Sequence, residues 1–495
     1  MTVHRTGVLI IGTGFSGLGM AIELRKRGRE DFLVLEKAEE VGGTWRENTY
    51  PGCACDVPSH LYSLSGEPNP YWSKMWSGQP EILAYLRSLA DKYELRRSIR
   101  FCSTCSGGYW DESRARWHVT TAEGDEYIAQ FLVSGVGALH IPNVPTLPGI
   151  ETFTGSAFHS ARWDHDVDLT GKRVAVIGTG ASAVQFVPEI AERVAQLQLY
   201  QRTPAWVLPR RNFSLPKTVQ QAFARVPLLR RAVRGAVYWS AEGLAIGLNG
   251  HSALLRPVEH VGRRFIRREI SDPELRAKLT PSYRIGCKRI LGSNTYYRAL
   301  NSPRTEVITD GIAEVRAGSM VDNNGVEREV DVIVYATGFR VTDGFDSLNL
   351  AGLGGRKLVS HWKEHGIATH LGITAAGFPN AFFLLGPNTG LGHNSVVFMI
   401  EQQIKYVLRA LDLIEHRAAD AIDVREPVQH RFNAEIQRKL RGGVWSTGGC
   451  TSWYLDSTGV NRTVWPGFTW QYWLRTRTLD PTEYELLQAK ENVSV

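Results

Sequence analysis

The sequence predicts an α/β protein: two domains, each winding a parallel sheet around a βαβ unit, with a helical insert in the second. Three observations carry this. Near the N-terminus, GVLIIGTGFSGLGMAIELRKRG runs from an apolar strand through a glycine-rich turn into a helix. The same grammar returns from Lys172, in KRVAVIGTGASAVQFVPEIAERV. Much later, after a long arginine-rich stretch, EVDVIVYATGFR reads as another buried strand.

The first unit has Gly12-x-Gly14-x-x-Gly17 in its turn, followed by a second strand, FLVLE, that ends in Glu36. Strand, turn, helix and terminal acid together form the Rossmann-like dinucleotide fingerprint. The glycines permit a tight turn, and the backbone around Phe15 and Ser16 then meets a pyrophosphate at the helix N-terminus. In the second unit Gly178, Gly180 and Ala183 take the three loop positions, with Thr179, Ala181 and Ser182 between them. The two units differ at the end of their second strands. Glu36 lies 24 residues after Gly12, and Arg202 lies 24 residues after Gly178. An acid there accepts hydrogen bonds from a ribose 2′-OH, whereas an arginine pairs with a 2′-phosphate. The first loop is therefore expected to hold FAD and the second NADPH, the arrangement of a flavoprotein that takes hydride from a nicotinamide.

A chain of 495 residues exceeds one simple core and suggests two or three domains. The expected division is an FAD-binding domain over 1–145, an NADPH-binding domain over 146–340 with a helical insert at about 205–285, and a return to the FAD domain over 341–495. Net charge is +7, but residues 210–289 hold 17 Lys+Arg against 5 Asp+Glu, so the rest of the chain is acidic. A nucleic-acid partner is not expected. The insert instead faces an anionic cofactor as a lid, or a membrane surface, with the lid preferred. The six cysteines make no dense framework, which suits a reducing compartment. Cys102-Ser-Thr-Cys105 has no second pair to complete a metal site, and no metal is expected. No signal peptide or membrane span is read from the sequence, since VLIIG is too short for either. The expectation is a soluble cytoplasmic protein without an integral membrane segment.

Between the two loops stands FTGSAFHSARWD, residues 153–164, after a proline-studded run that reads as a linker. It is too polar for a buried strand and too broken for a helix. Its His159 has no nucleophile or metal partner nearby in sequence, so neither role is indicated. Thiol chemistry is also poorly supported. Tryptophan follows Gly42-Gly43-Thr44 where related reductases carry a redox cysteine, and the spacing of Cys53-Ala-Cys55 is poor for an unstrained disulfide.

The stretch matches F-x-G-x-x-x-H-x-x-x-W-D, and a second signature reads Gly43-x-Trp45-x₄-Tyr50-Pro51-Gly52-x₃-Asp56. On these motifs, in this order around the two loops, the chain resembles the type I Baeyer–Villiger monooxygenases, a branch of the class B flavoprotein monooxygenases. Oxygenases of nitrogen and sulfur carry a similar histidine motif, usually with Tyr or Phe in place of Trp163. They remain the alternative. The resemblance implies insertion of one atom of O₂ next to a ketone carbonyl, through a C4a-peroxyflavin, to give an ester or lactone. It implies that Arg289 is the catalytic arginine, that Asp56 holds it, and that Lys288 helps bind the NADPH phosphate. It gives His159 a part in coupling domain motion and NADPH binding to catalysis. Thr44, Trp45 and Tyr62 become flavin neighbours, and Thr203 supports Arg202. Asn394, at the turn GPNTGLGHNS, is placed near the flavin ring. Five tryptophans in the C-terminal stretch, Trp445, Trp453, Trp465, Trp470 and Trp473, suit an apolar pocket or ordinary core equally.

Overall fold

The computed structural model describes residues 2–210, 212–341, 345–456 and 458–490. Its first sheet is built around Val3–Ile11, which pairs in parallel with Phe32–Leu35 on one side and with Glu126–Ser134 on the other. Cys105–Asp111 and Arg116–Thr121 extend that side antiparallel. Two strands from much later in the chain, Leu350–Ala351 and Ala381–Phe383, join the same sheet. The chain thus leaves the first sheet and comes back to it. The second sheet lies wholly between these visits. Its order is Thr305–Ile308, Gln196–Tyr200, Arg173–Ile177, Val332–Tyr335 and Ser156–His159, every pair parallel.

The glycine-rich turns are needed sterically. A Cβ on Gly17 would sit 1.8 Å from the Gly12 carbonyl oxygen, so the helix Phe15–Lys26 can approach its strand only because that position is bare. Gly178 adopts φ +110°, and a Cβ there would lie 2.5 Å from the Ala336 carbonyl oxygen. That contact brings the ATG strand end, Ala336-Thr337-Gly338, against the second loop.

Two readings of the sequence are corrected. FTGSAFHSARWD, read as too polar for a buried strand, does contain a strand: Ser156–His159 forms an edge strand paired with Val332–Tyr335. An edge position tolerates its polar residues because one side stays accessible. The cysteines are not all free thiols either. Cys287 and Cys450, 163 residues apart, are joined in a disulfide, a proximity that only the folded chain creates. Cys53, Cys55, Cys102 and Cys105 are free.

The insert consists of helices Lys217–Arg225, Pro227–Leu248, Arg256–Glu269 and Pro273–Leu279. Its base is closed by Val207–Leu208 pairing in parallel with Leu291–Gly292. Arg202 and Thr203 therefore enter the insert where Lys288 and Arg289 leave it. Among the described residues, no helix is long and apolar enough to cross a membrane.

Trp117 closes the first sheet onto its late-arriving part. It is fully buried, and its Nε1 donates to the Pro379 carbonyl at 2.7 Å. Trp117→Ala should cost about 3–5 kcal/mol and lower the thermal midpoint in differential scanning fluorimetry. Trp117→Phe should recover most of the loss.

Candidate active site

The N-termini of helices Phe15–Lys26 and Ala181–Ile190 carry no side-chain cap, so their first backbone N–H groups remain for an anion. Glu36 is buried, and its carboxylate accepts from Thr13 N and Oγ1 and from Ala38 N, and pairs with Arg46. These donors fill the roughly four lone-pair sites of a carboxylate. A ribose hydroxyl must therefore share or displace one of them. Phe15 and Trp45 are buried, each edge-on to Tyr62, and Trp45 Nε1 donates to Tyr62 Oη at 3.2 Å. Thr44 opens the short helix Thr44–Glu47, and Ser16 is buried in the first turn of its own helix. Gly43 packs directly on Gly14: a Cβ on it would lie 2.9 Å from the Gly14 Cα.

At the second loop, Thr179 Oγ1 donates to the Thr203 carbonyl at 2.9 Å, and Lys288 Nζ donates to Thr203 Oγ1. Burial and the neighbouring Arg202 together push the Lys288 pKa below its ordinary value. Among the described residues no carboxylate pairs with either cation. Two unneutralised cations beside a glycine-rich turn fit a phosphate dianion. Ala181 is exposed and Ala183 fully buried.

His159 ends the edge strand. The Ala161 N–H donates to its Nδ1 at 3.1 Å, which leaves the proton of the neutral ring on Nε2. Nε2 is buried and makes no hydrogen bond among the described residues. Burial pulls the pKa down to about 4; the Gly338 backbone opposes this, and the positive charge of Arg162 adds to it. The residues around it pack on the helix of the second loop, and Arg162 reaches across to the first domain. Ser160 Oγ donates to Ser182 Oγ at 3.1 Å, and Trp163 packs on Phe186 with ring centroids 5.2 Å apart. Arg162 pairs with Glu47, Glu47 with Arg46, and Arg46 with Glu36. A chain of alternating charge thus runs from the histidine motif to the acid of the first loop. Beside it, Gln185 accepts from Tyr50 Oη at 2.9 Å and donates to the Ala54 carbonyl at 2.9 Å. The second signature is therefore docked on the helix of the second loop.

Asp56 ends that signature and meets Arg289, 233 residues away, in a bidentate fork through Nε and Nη2. The remaining edge of the guanidinium donates from Nη1 to the Leu391 carbonyl at 3.0 Å. Burial lowers the Arg289 pKa, but the Asp56 carboxylate outweighs it and leaves the pKa well above the ordinary value. Burial raises the Asp56 pKa, and Arg289 reverses this to leave it below the ordinary value. Both groups are charged, and 27 % and 29 % of their side-chain surfaces remain accessible, enough for contact with a ligand.

Sequence reasoning missed two neighbours of this pair. Arg210 donates to the Cys55 carbonyl and adds a second positive field at Asp56. Tyr454, fully buried, faces Arg289. Neither belongs to a motif, so no local signal could have found them. Asn394 stands in the turn that also supplies the Leu391 carbonyl. Its Nδ2 donates to Glu242 at 2.6 Å and its Oδ1 accepts from Ser395 N, so its side chain is committed within the protein. Glu242, buried on the long insert helix, also accepts from Thr469 N and Oγ1. It thereby fastens the insert to the turn that supplies the Leu391 carbonyl. The five tryptophans differ in burial. Trp445 and Trp465 are core, Trp453 and Trp473 are exposed, and Trp470 stacks on Phe468.

Two loops, an uncapped helix over each, and a charged fork near their junction define a two-dinucleotide oxidoreductase. The flavin-binding monooxygenase-like family model matches residues 5–218. A Baeyer–Villiger monooxygenase of Pseudomonas aeruginosa is 52% identical over 97% of this chain and 91% of its own length. One from Streptomyces coelicolor is 48% identical over 97% of this chain and 92% of its own. Among solved structures, cyclohexanone monooxygenase from Rhodococcus sp. Phi1 bound to NADP+ superposes with a TM-score of 0.89 at 27% identity, covering 99% of this chain and all of that one. An oxidized steroid monooxygenase bound to NADP gives 0.88 at 31% identity, covering 98% of this chain. The chain belongs to the Baeyer–Villiger monooxygenases. It is an FAD- and NADPH-dependent flavoprotein of that activity.

The buried histidine gives a pH prediction. Between an ordinary pKa of 6.5 and the folded value of about 4, the unfolded chain binds a proton at His159 that the folded chain refuses. Stability is therefore full above pH 6.5 and falls as the pH drops through this window. His159→Asn should flatten this slope in urea unfolding measured from pH 7 to 4, and an unchanged slope would contradict the assignment.

Proposed function

We propose that Arg289 is the catalytic cation of this monooxygenase and that Asp56 holds it in place. The observation that carries this is the bidentate fork, a charged pair that stays partly accessible. When bound, the reduced flavin supplies activation of O₂, and the ketone gains an oxygen to become an ester or lactone. The residues of this chain hold charge and geometry. Negative charge develops on the attacked carbonyl oxygen, and a guanidinium stabilises it without losing its own proton. Asp56 and the Leu391 carbonyl fix three of its N–H groups, so the cation needs no reorganisation as charge develops. Arg202, Lys288 and Thr203 take the 2′-phosphate of NADPH, and His159 couples the two domains through the neighbouring Arg162, which pairs with Glu47 of the first domain.

The partners are O₂ and an organic ketone, with no nucleic acid; the apolar C-terminal stretch selects among ketones. We place the protein in the cytoplasm, where NADPH is supplied. The Cys287–Cys450 bond stands against this placement, because cytosolic proteins seldom keep a disulfide. Trp163 and the ketone-oxidising relatives favour this chemistry over nitrogen or sulfur oxygenation.

Arg289→Ala should still accept hydride from NADPH but make no ester. A loss of about 3 kcal/mol is more than a hundredfold in rate. Anaerobic stopped-flow reduction, followed by mass spectrometry of products under ¹⁸O₂, separates the two steps. Ester at the normal rate from this variant would remove Arg289 from the chemistry. Arg289→Lys should restore charge without the fork, and so only part of the rate.

Arg202→Ala should lose about 2–3 kcal/mol of NADPH binding while FAD stays bound and NADH use is little changed. Flavin reduction titrated with both nucleotides measures this. Equal preference for NADPH in the variant would show that Arg202 does not read the phosphate.

A further inference from the structure

The insert carries more positive charge than its cofactor-facing residues use. From residue 212 to residue 271, every exposed charged side chain is a lysine or an arginine. The three acids in this span are withdrawn: Glu242 is buried, Glu259 pairs with Arg284, and Glu269 pairs with Arg268 and Arg298. The same segment is unusually apolar on its outside. Of eighteen exposed large hydrophobic residues among those described, eight lie between Phe213 and Val261.

The pattern is ordered on the helix Pro227–Leu248. Leu228, Ala232, Ala236, Trp239, Gly243 and Ile246 are all exposed, and their spacing of three and four residues puts them on one face. Leu228 is 74% exposed, Trp239 62% and Ile246 43%. At about 1.5 Å per residue the stripe runs roughly 27 Å. Leu254, 60% exposed, continues it towards the helix Arg256–Glu269, whose Arg256, Arg264 and Arg267 are exposed. The opposite face holds Ala245 and Leu248 in the interior, while Glu242 flanks the stripe and is covered by Asn394 and Thr469.

We infer that this face of the insert docks on an anionic lipid bilayer surface, the helix Pro227–Leu248 lying in the interface with Leu228, Trp239 and Ile246 among the acyl chains. The charge argues for this occupant. A second copy would bring arginine against arginine, whereas anionic headgroups complement a face with no exposed acid. The phosphate surface of duplex DNA would meet the arginines but offer an apolar stripe roughly 27 Å long nothing to pack against. Through Glu242 the docked helix is fastened to Asn394 and Thr469, so the membrane contact and the loop that holds Arg289 share one support.

The test uses the FAD-loaded full-length protein and sedimentation with vesicles of phosphatidylcholine, with and without roughly a third of phosphatidylglycerol. Binding to the anionic vesicles only, lost in high salt, is expected. W239E–I246E should weaken binding at least about tenfold, and R256Q–R264Q–R267Q about fivefold per arginine removed. Both variants should retain FAD and turn over a soluble ketone normally, which shows that they fold. The proposal is overturned by no binding to anionic vesicles, or by equal binding to neutral ones. It is also overturned if W239E–I246E dissolves a dimer of the wild-type protein, or if duplex DNA binds as tightly and ignores that substitution.

Discussion

The Asp56–Arg289 fork is the contact on which the arrangement of the site depends. It joins residues 233 positions apart, one at the end of a signature in the first domain and the other where the insert rejoins the second. Two charges brought this close in a partly desolvated crease each cost hydration, and the bidentate geometry offsets that cost. Removing either partner leaves the other charge poorly satisfied. The third edge of Arg289 is taken by the Leu391 carbonyl, so the chain's return to the first domain holds the cation as well. All three sections of the chain meet at one guanidinium.

The rest of the junction repeats this logic with weaker groups. Gln185 bridges Tyr50 and Ala54 from the helix of the second loop. The charge chain Arg162–Glu47–Arg46–Glu36 connects the histidine motif to the first loop. Arg162 is almost half exposed, so its pair is screened and holds little stability by itself. The Arg162–Glu47 pair, which crosses between the domains, can break and re-form at low cost, which suits a flavoprotein that must admit a nicotinamide and then a ketone. The insert is fastened differently: Glu242 is buried, with Asn394 and Thr469 donating to it, and a carboxylate so satisfied out of water is a firm attachment.

Much of this was legible in the sequence because it is local. A strand, a turn too tight for a Cβ and a helix lie within a few turns of chain, so Gly12, Gly17 and Gly178 announce their conformation through residue type alone. Glu36 and Arg202 are legible as well, since the end of a second strand lies at a fixed distance from its loop. Asp56 ends a signature that can be read as a string, whereas Arg289 and its pairing with Asp56 could be named only through the family resemblance.

What the sequence could not carry is contact across long separations. The partner of Glu242, the disulfide between Cys287 and Cys450, and the faces that Arg210 and Tyr454 turn towards the fork all depend on how separate elements pack. The same holds for how packing commits individual side chains. Asn394 gives its amide to Glu242, and the C-terminal indoles divide between core and surface. The edge strand at Ser156–His159 has too few apolar residues to declare itself and exists because Val332–Tyr335 offers a hydrogen-bonding edge. Sequence by itself determined the two nucleotide folds, their difference in charge and the family of chemistry, since backbone sterics and residue type act within short range. Only the tertiary structure decided which charges are paired, buried or left facing outward, because desolvation and Coulomb energy depend on distance in space and not along the chain.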